Sequence, residues 1–277
     1  MNSSLLAVLE QNYRHFSKGQ KKIAAYITEN YDKAAFMTAA ALGQKVGVSE
    51  STVVRFATEL GFKGYPQLPK ELPQMIKSKL TAVQRMEVSQ ALIGDSDIID
   101  SVLTGDIELI RSTAEQTSRE AFSAAIAEIN RARRIYILGV RSSAALASFL
   151  AFYFNLVFES VVLVDTSSAS EMFEQMFRIG KEDICIAISF PRYSKQTVNA
   201  LRFIADRGAK IIALTDTEKS PIASFATHLL VARSDMASVV DYLTAPLSLI
   251  NALIVGVTLT RRDEVSQNFH ALVNILD

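Results

Sequence analysis

Two stretches of the sequence, residues 139–143 and 189–197, combine hydroxyl and basic side chains in a pattern that suits phosphate binding. Each follows a short apolar run and leads into a stretch of helical periodicity, so each is predicted to be a turn from a strand into a helix. A helix N-terminus attracts anions because its backbone N–H groups and the positive end of its dipole point outwards. Two such turns side by side predict a small phosphate site, whose charge Arg141, Arg192 and Lys195 would neutralise.

The ligand predicted for these turns is a compact phosphate monoester, such as a sugar phosphate. A dinucleotide fingerprint is absent, since Arg141 and Ala144 stand where the G-x-G-x-x-G motif needs glycine. The chain also lacks a Walker lysine motif. A purely structural alternative stays open, in which the serines only cap core helices.

Residues for acid-base catalysis are scarce. Isomerisation of a sugar phosphate needs a general base or acid, usually Glu or His, and the only candidates are Glu171, His228 and His270. Glu171 starts a helix, where a carboxylate commonly serves as a partner of the helix dipole. Metal-ligand spacings are absent as well, so the sequence predicts no catalytic residue, no metal and no cofactor.

The elements that would position the two turns alternate between strand and helix. Short apolar runs predict five strands, at 135–138, 160–164, 184–189, 210–214 and 229–232. Helical segments are predicted between most of them, at 143–158, 168–180 and 194–207. Continuously apolar strands separated by helices indicate a parallel sheet covered on both faces. Ligands of such sheets bind at the carboxyl ends of the strands, which is where both turns lie.

The N-terminal part of the chain is predicted to be all-helical and to hold a helix-turn-helix. One helix begins at Thr38, Gly47 turns the chain, and Ser49 caps a further helix that ends at Gly61. The positions predicted to face the core are Ala41, Leu42, Val46, Val48, Val53, Val54 and Leu60.

The second helix of this motif is predicted to read DNA, because the N-terminal part of a recognition helix meets base edges in the major groove. Arg suits guanine or phosphate, and hydroxyls suit either. The predicted DNA contacts are Ser49, Ser51, Thr52, Arg55 and Lys63. The alternative is a small helical bundle with a solvated polar face.

Charge and composition support a chain with two different parts. The 277 residues exceed one average domain. Residues 1–80 contain 11 Lys and Arg against 6 Asp and Glu, a net charge of +5, whereas the remainder has a net charge of −5. A basic head on an acidic body indicates that only the head meets a polyanion.

The cellular setting is predicted from the same composition. The single cysteine, Cys185, lies in an apolar run and excludes a disulfide framework within the chain, which fits a reducing cytoplasm. The N-terminus lacks the features of a secretory signal. Two uncharged stretches, 142–158 and 242–260, are interpreted as buried helices, and no membrane partner is expected.

The predicted domain boundaries place a helix-turn-helix domain at residues 1–80, linker helices at 81–118 and an α/β domain at 119–277. Three prolines, Pro66, Pro69 and Pro73, follow the helix-turn-helix. Because proline interrupts helices, they predict an unusual hinge between the domains.

The two halves together resemble the RpiR family of bacterial transcriptional regulators. In the head the resemblance rests on FSKGQKKIAAYITEN and on ALGQKVGVSESTVVRFATELGFKGY. In the body it rests on IYILGVRSS, ISFPRYSKQT and AKIIALTDTEKSPIASFA. The family joins an all-α helix-turn-helix domain to an α/β SIS (sugar isomerase) domain, whose parallel sheet is sandwiched between helices.

The resemblance also implies partners. It implies double-stranded operator DNA near sugar-catabolism genes, a phosphosugar effector that alters DNA affinity, and a homodimer or homotetramer. By motif position, the effector's phosphate would be held by Ser143 in the first turn and by Ser189 and Ser194 in the second. Further carry-overs in the same turns are Ser142, Tyr193 and Thr197.

Two residues depart from the family pattern. Arg141 stands where many SIS turns have glycine, and Pro191 stands where many have serine. Arg141 would either add a phosphate contact or plug the site. The main hypothesis is therefore a DNA-binding regulator that senses a phosphosugar. Its rivals are a sugar-phosphate isomerase with an appended helical domain and a structural oligomer whose turns bind nothing.

Overall fold

A computed structural model describes residues 9, 12–34, 37–65, 68, 86, 97–165, 168–234, 240–263 and 265–266 of the chain. The chain forms two compact units, Met1–Leu92 and Ile93–Asp277. The predicted boundaries at residues 80 and 118 stay predictions. Pro66, Pro69 and Pro73 lie outside the described residues, as do residues 81–85 and 87–96 of the predicted linker.

The first unit is helical. Its described helices are α1 (Lys18–Glu29), α2 (Tyr31–Ala34), α3 (Ala39–Val46) and α4 (Glu50–Glu59). Ser17, Thr38 and Ser49 cap α1, α3 and α4, because each side-chain oxygen accepts a hydrogen bond from a backbone N–H of the first turn. The caps at Thr38 and Ser49 explain why α3 and α4 begin where the sequence predicts.

The turn between α3 and α4 depends on two glycines. Gly47 adopts a left-handed conformation with φ of 68°, which ends α3. Gly43 lies so close to the turn that a Cβ built on it would come within 2.8 Å of the carbonyl oxygen of Val48. The short turn therefore needs a residue without a side chain at 43 and one that tolerates a positive φ at 47, and the predicted helix-turn-helix is confirmed.

The core of the first unit follows one face of each helix. Leu42, Val53 and Phe56 are completely buried, and Val46, Val48 and Leu60 pack partly buried against the same core. Two of the predicted core positions are wrong, because Ala41 is exposed and Val54 is 38 % exposed. Successive helical residues point about 100° apart, so Val53 and Val54 cannot both face the core.

The second unit contains a five-stranded parallel sheet in the order β2-β1-β3-β4-β5. Its helices and strands are α5 (Ile98–Gln116), α6 (Arg119–Arg131), β1 (Ile135–Gly139), α7 (Ser143–Asn155), β2 (Val161–Val164), α8 (Ala169–Met176), β3 (Ile184–Ile188), α9 (Lys195–Asp206), β4 (Lys210–Thr215), a 3₁₀ turn (Ala223–Phe225), β5 (His228–Val231) and α10 (Thr244–Thr260). All five predicted strands are present.

Helices cover both faces of this sheet, as predicted. Alternate strand residues such as Ile137 and Ile186 pack on one side with α6, α7 and α10. Their neighbours, such as Leu138 and Cys185, pack on the other side with α8 and α9. Strands with apolar residues on both faces are shielded from water only when helices cover both faces of the sheet, and this three-layer arrangement does so.

The first and last described helices of this unit, α5 and α10, are also fixed to the sheet. Helix α5 joins the end of β5, since the Thr117 hydroxyl donates to the Val231 carbonyl at 3.2 Å and the Arg233 N–H donates to the Thr113 hydroxyl at 2.8 Å. Helix α10, formed by one of the two uncharged stretches, buries Leu249, Ile250 and Leu253 in the core. In the described part of the chain, every helix falls short of the length and apolarity that crossing a bilayer requires.

Candidate functional site

The two serine-rich turns meet where the strand order reverses. The chain runs from β1 outwards to β2 and then returns to β3 on the other side of β1. Gly139, the last residue of β1, pairs with Ile188, the last residue of β3. The turns that follow therefore leave the same edge of the sheet from adjacent strands. Such a switch point is the usual ligand site of a parallel sheet.

Gly139 brings the start of α7 close to the sheet. A Cβ built on Gly139 would lie 2.5 Å from the carbonyl oxygen of Ser143 and 2.9 Å from the Cβ of Ala147. Real Cβ atoms do not approach other atoms so closely, so the helix N-terminus reaches this depth only because residue 139 has no side chain. Helix α9 begins at Lys195, after the neighbouring turn, and its dipole adds positive potential at the same edge.

The turns enclose a concave site that we call the strand-end pocket. Its lining residues are Val140, Arg141, Ser142, Ser143, Ser189, Phe190, Pro191, Arg192 and Ser194. Five of the seven predicted effector residues line this pocket; Tyr193 and Thr197 are the two that do not. Effector binding stays a prediction for all seven residues.

The serine hydroxyls of the pocket differ in their hydrogen bonds within the protein. Ser142 makes no side-chain cap to α7, and the hydroxyls of Ser143 and Ser189 have no hydrogen-bond partner among the described residues although both residues are only 4 % exposed. Ser194 does cap α9, accepting a hydrogen bond from the Gln196 N–H at 3.2 Å. The capping explanation thus accounts for Ser194 and leaves three hydroxyls without a structural role.

Both arginines of the pocket have unusual backbone conformations. Arg141 has φ of 59° and Arg192 has φ of 73°, the left-handed region that favours glycine. Arg141 is exposed, and Arg192 donates from Nη2 to both carboxylate oxygens of Asp241, at 2.8 and 2.6 Å. The family pattern of glycine at residue 141 thus agrees with the backbone, although the residue is arginine.

The other two predicted effector residues, Tyr193 and Thr197, do not line the pocket. The Tyr193 hydroxyl donates to Oδ1 of Asp216 at 2.5 Å. Thr197 is completely buried, and its hydroxyl has no hydrogen-bond partner within the described part of the chain. Their placement favours a role in holding the second turn.

Asp216 is an unusual neighbour for Tyr193. It follows β4, and its burial raises the pKa of the carboxyl above the ordinary value. Burial, followed by the charge of Asp216, also raises the pKa of the Tyr193 hydroxyl. The tyrosine therefore stays a hydrogen-bond donor at neutral pH and fastens the second turn to the end of β4.

The two described candidates for catalysis, Glu171 and His228, are not among the residues that line the strand-end pocket. Glu171 is exposed in the first turn of α8, where its backbone N–H donates to the Ser168 hydroxyl at 3.3 Å. His228 is the first residue of β5 and so lies at the opposite edge of the sheet from the pocket. His270 is outside the described residues. Among those that are described, no cluster of three His, Cys, Asp or Glu is arranged to hold a metal ion.

The predicted DNA-contacting residues lie on and just after α4. The hydroxyl of Ser49 accepts from the Thr52 N–H at 3.3 Å and lies 2.9 Å from the Ser51 hydroxyl and 2.8 Å from the Thr52 hydroxyl. Ser51 and Arg55 are exposed, and Lys63 is exposed just after the helix. Ser49 thus has a capping role, whereas contact with DNA stays a prediction for all five residues.

Sequence reasoning missed the carboxylates that hold the second turn. Neither Asp216 nor Asp241 is among the site residues predicted from the sequence. Asp241 lies 49 residues after Arg192, and no local pattern connects the two. The sole signal was an acidic residue immediately before the apolar stretch that became α10.

Comparisons with known proteins agree with both parts of the chain. Residues 3–79 match the helix-turn-helix domain of the rpiR family, and residues 128–256 match the SIS domain. An HTH-type transcriptional regulator from Haemophilus influenzae is 25 % identical over 222 residues, which cover 79 % of this chain and 76 % of the relative. The HTH-type transcriptional regulator HexR from Escherichia coli is 25 % identical over 278 residues, covering 96 % of this chain and 91 % of HexR.

Solved structures share the fold. The sugar isomerase domain of an RpiR transcription factor from Sphaerobacter thermophilus matches with a TM-score of 0.61 and 28 % identity, covering 64 % of this chain and 98 % of that domain. The Vibrio vulnificus NanR protein, solved in complex with ManNAc-6P, matches with a TM-score of 0.59 and 22 % identity over 98 % of both chains. With a helix-turn-helix domain of the rpiR type followed by a SIS domain, the chain belongs to the RpiR family of transcriptional regulators.

Proposed function

We propose that this protein regulates transcription of sugar-metabolism genes and that a phosphorylated sugar, bound in the strand-end pocket, controls its affinity for operator DNA. The observation that carries the effector part is the set of serine hydroxyls at the pocket, of which Ser142, Ser143 and Ser189 have no partner among the described residues. Hydroxyls, two helix N-termini and two arginines form a suitable set of donors for one phosphate group.

The DNA-binding part is supported by the charge of the first unit. Of its described Lys and Arg residues, all except Lys21 are exposed, including Arg55 on α4 and Lys63 after it. Exposed basic residues can neutralise DNA phosphates and release counterions. A regulator of this kind would act in the cytoplasm.

The first experiment measures binding to DNA. Fluorescence anisotropy with a duplex from the region upstream of the protein's own gene should give salt-dependent, specific binding, which a scrambled duplex of equal length should not reproduce. Equal affinity for both duplexes at physiological salt would contradict the regulatory proposal.

Arg55 tests how α4 reads DNA. Arg55→Ala should weaken specific binding by about 1–3 kcal/mol if the guanidinium contacts a base edge. Arg55→Lys is the matched control, because it keeps the charge and removes the planar fork that binds guanine through two nitrogens. If Arg55→Lys restores full affinity and the salt slope, Arg55 contacts phosphate only; if both variants bind like wild type, Arg55 lies outside the interface.

The effector is tested with a panel of sugar phosphates and the matching unphosphorylated sugars. ManNAc-6P is a reasonable first member, because a protein of the same fold was solved with it. One phosphorylated sugar should raise the melting temperature and change the affinity for the operator duplex, whereas its unphosphorylated form should do neither. Ser143→Ala combined with Ser189→Ala should remove both effects, and if it leaves them intact, the phosphate binds elsewhere.

We infer that the SIS domain here senses its ligand and does not convert it. The residues that line the strand-end pocket include no Glu, Asp or His, so the lining contains no side chain suited to act as a general base. The relatives named above are transcriptional regulators. Conversion of an aldose phosphate to a ketose phosphate by the purified protein, abolished in Glu171→Gln, would favour the isomerase instead.

We also propose that the protein works as a homodimer or homotetramer. Large apolar side chains are exposed on three helices of the second unit, among them Ile98 on α5, Phe152 on α7 and Leu259 on α10, at 65 %, 63 % and 69 %. Exposed apolar residues of this size commonly mark interfaces, and paired subunits match two half-sites in an operator. Light scattering at micromolar concentration should give a multiple of the 30.5 kDa chain mass.

A further inference from the structure

Arg192 is the one arginine of the strand-end pocket whose side chain is held by a carboxylate. Its Nη2 donates to both oxygens of Asp241 at 2.8 and 2.6 Å. The Arg192 side chain is 26 % exposed and that of Asp241 is 6 % exposed. Asp241 lies three residues before the start of α10, so the pair ties the pocket to the segment that leads into this helix.

The geometry of the pair leaves Arg192 incompletely satisfied. A single nitrogen serves both carboxylate oxygens, and Nε is shielded from solvent without a hydrogen-bond partner among the described residues. In contrast, Arg133 binds Asp183 through two nitrogens, with Nε at 3.0 Å from Oδ1 and Nη2 at 2.9 Å from Oδ2. A buried donor of a charged group that lacks an acceptor costs free energy. An anion that also accepted from Nε would therefore be a better partner for Arg192 than Asp241 is.

The second turn does not depend on Asp241 alone. The residue next to Arg192, Tyr193, is fastened separately to Asp216. The segment around Asp241 likewise has another tether, because the Ser234 hydroxyl donates to the Tyr242 carbonyl at 3.0 Å. The ion pair can therefore open while the turn and the segment each keep a further contact.

We propose that Arg192 is a phosphate ligand of the strand-end pocket. In the free protein its guanidinium is paired with Asp241, and an incoming phosphate replaces the Asp241 carboxylate as its partner. This inference rests on the proposed function, since it assumes that the pocket binds a phosphate. A phosphate monoester has about twice the charge of a carboxylate and three acceptor oxygens, so it can accept from more than one nitrogen of the guanidinium. Exchange of the anion then breaks the contact of Asp241 with Arg192 and loosens the chain just before α10.

The deciding variant is Asp241→Asn, with inorganic phosphate as the probe in isothermal titration calorimetry. If phosphate must displace Asp241, removal of this competing charge should tighten phosphate binding by about tenfold or more, the range expected for one charge-assisted hydrogen bond. If Asp241 instead positions Arg192 for the ligand, the same variant should bind phosphate more weakly. Unchanged or weaker binding overturns the proposal.

Two controls make the result specific. Glu218→Gln removes a negative charge from an exposed residue in the loop after β4, at the same edge of the sheet, and should change phosphate affinity less than twofold because exposed charges are screened. Arg192→Gln in the Asp241→Asn background should abolish the gain. If the gain persists without Arg192, or Glu218→Gln reproduces it, the exchange is refuted.

Hydrogen exchange on the wild-type chain supplies a measurement that does not depend on how the variant folds. Saturating phosphate should speed exchange of the amides at residues 240–243 and leave those of β3 unchanged. Slower or equal exchange at 240–243 contradicts the release of Asp241.

The proposed function and the exchange can fail separately. Operator binding that responds to a phosphosugar, together with no gain in Asp241→Asn, retains the regulator and rejects the exchange. A gain for inorganic phosphate in Asp241→Asn, together with operator binding that no sugar phosphate alters, supports the exchange and rejects the effector role.

Discussion

Gly139→Ala is the substitution that most directly tests whether close packing of α7 on β1 builds the strand-end pocket. The new Cβ would lie 2.5 Å from the carbonyl oxygen of Ser143, 3.0 Å from its carbonyl carbon and 2.9 Å from the Cβ of Ala147. All three atoms belong to the backbone or to the first atom of a side chain, so none can move by a rotamer change. Ordinary contact begins near 3.4 Å, so the start of α7 must move away by roughly 0.9 Å.

The expected effect has two parts. Forcing an extra methyl group into a packed core typically costs about 1–3 kcal/mol, and we expect a loss in this range for the second unit. The same displacement carries Ser142 and Ser143 away from the second turn. Loss of one charge-assisted hydrogen bond to the ligand corresponds to about a tenfold weaker binding of phosphate.

The assay must isolate the second unit, because the chain has two compact units and a single unfolding midpoint would mix them. Native-state hydrogen exchange of the β3 amides gives the opening free energy of the sheet itself. Isothermal titration calorimetry with inorganic phosphate measures the affinity of the strand-end pocket for phosphate.

Gly105→Ala is the matched control, since it makes the same chemical change inside α5, where a built Cβ meets nothing within 4 Å. Alanine is the better helix former, so this variant should gain about 0.5–1 kcal/mol. Opposite signs for the two variants would support the packing explanation. If Gly139→Ala is as stable as wild type and binds phosphate equally well, the close approach of α7 does not build the pocket.

Two further substitutions address the charged groups around the pocket. Arg141→Gly relieves a left-handed backbone that costs an L-residue about 1–2 kcal/mol, so it should leave stability equal or higher while weakening phosphate binding; tighter binding in calorimetry would show that Arg141 plugs the site. Asp216→Asn should gain stability over wild type as pH rises from the ordinary value of 3.8. The native protein binds the Asp216 proton more tightly than the unfolded chain does, so wild type loses stability across that range whereas asparagine does not titrate. A pH-independent difference in urea unfolding would show that folding does not raise the pKa of this carboxyl.

The sequence was sufficient for features that depend on local patterns. The apolar runs predicted all five strands, and the hydroxyl residues at helix starts predicted the caps of α3 and α4. The position of both turns at the carboxyl ends of their strands follows from the general rule for parallel sheets, whereas the pairing of β1 with β3 that brings them together is a finding of the structure. These predictions succeed because strand alternation, helix periodicity and capping are properties of neighbouring residues.

The failures concern orientation and distant pairing. Ala41 on α3 and Val54 on α4 are predicted to face the core because they are apolar. The buried residues are instead Ala39, Leu42 and Gly43 on α3 and Val53, Phe56 and Ala57 on α4. A run of adjacent apolar residues does not by itself fix which face is buried. Asp241 could not be connected to Arg192 from the sequence, because contact between residues so far apart is decided by the packing of α10 on the sheet.

The backbone of the strand-end pocket argues against a purely structural reading of its turns. Among the described residues other than glycine, positive φ angles occur only at Arg141 and Arg192, and both line this pocket. Glycine would adopt either conformation without strain, so a turn that served only to connect a strand to a helix would gain stability from it. A cationic side chain at a strained position is understandable where its charge is used. Two such arginines beside unpartnered serine hydroxyls are therefore better explained by an anionic ligand than by the requirements of the fold.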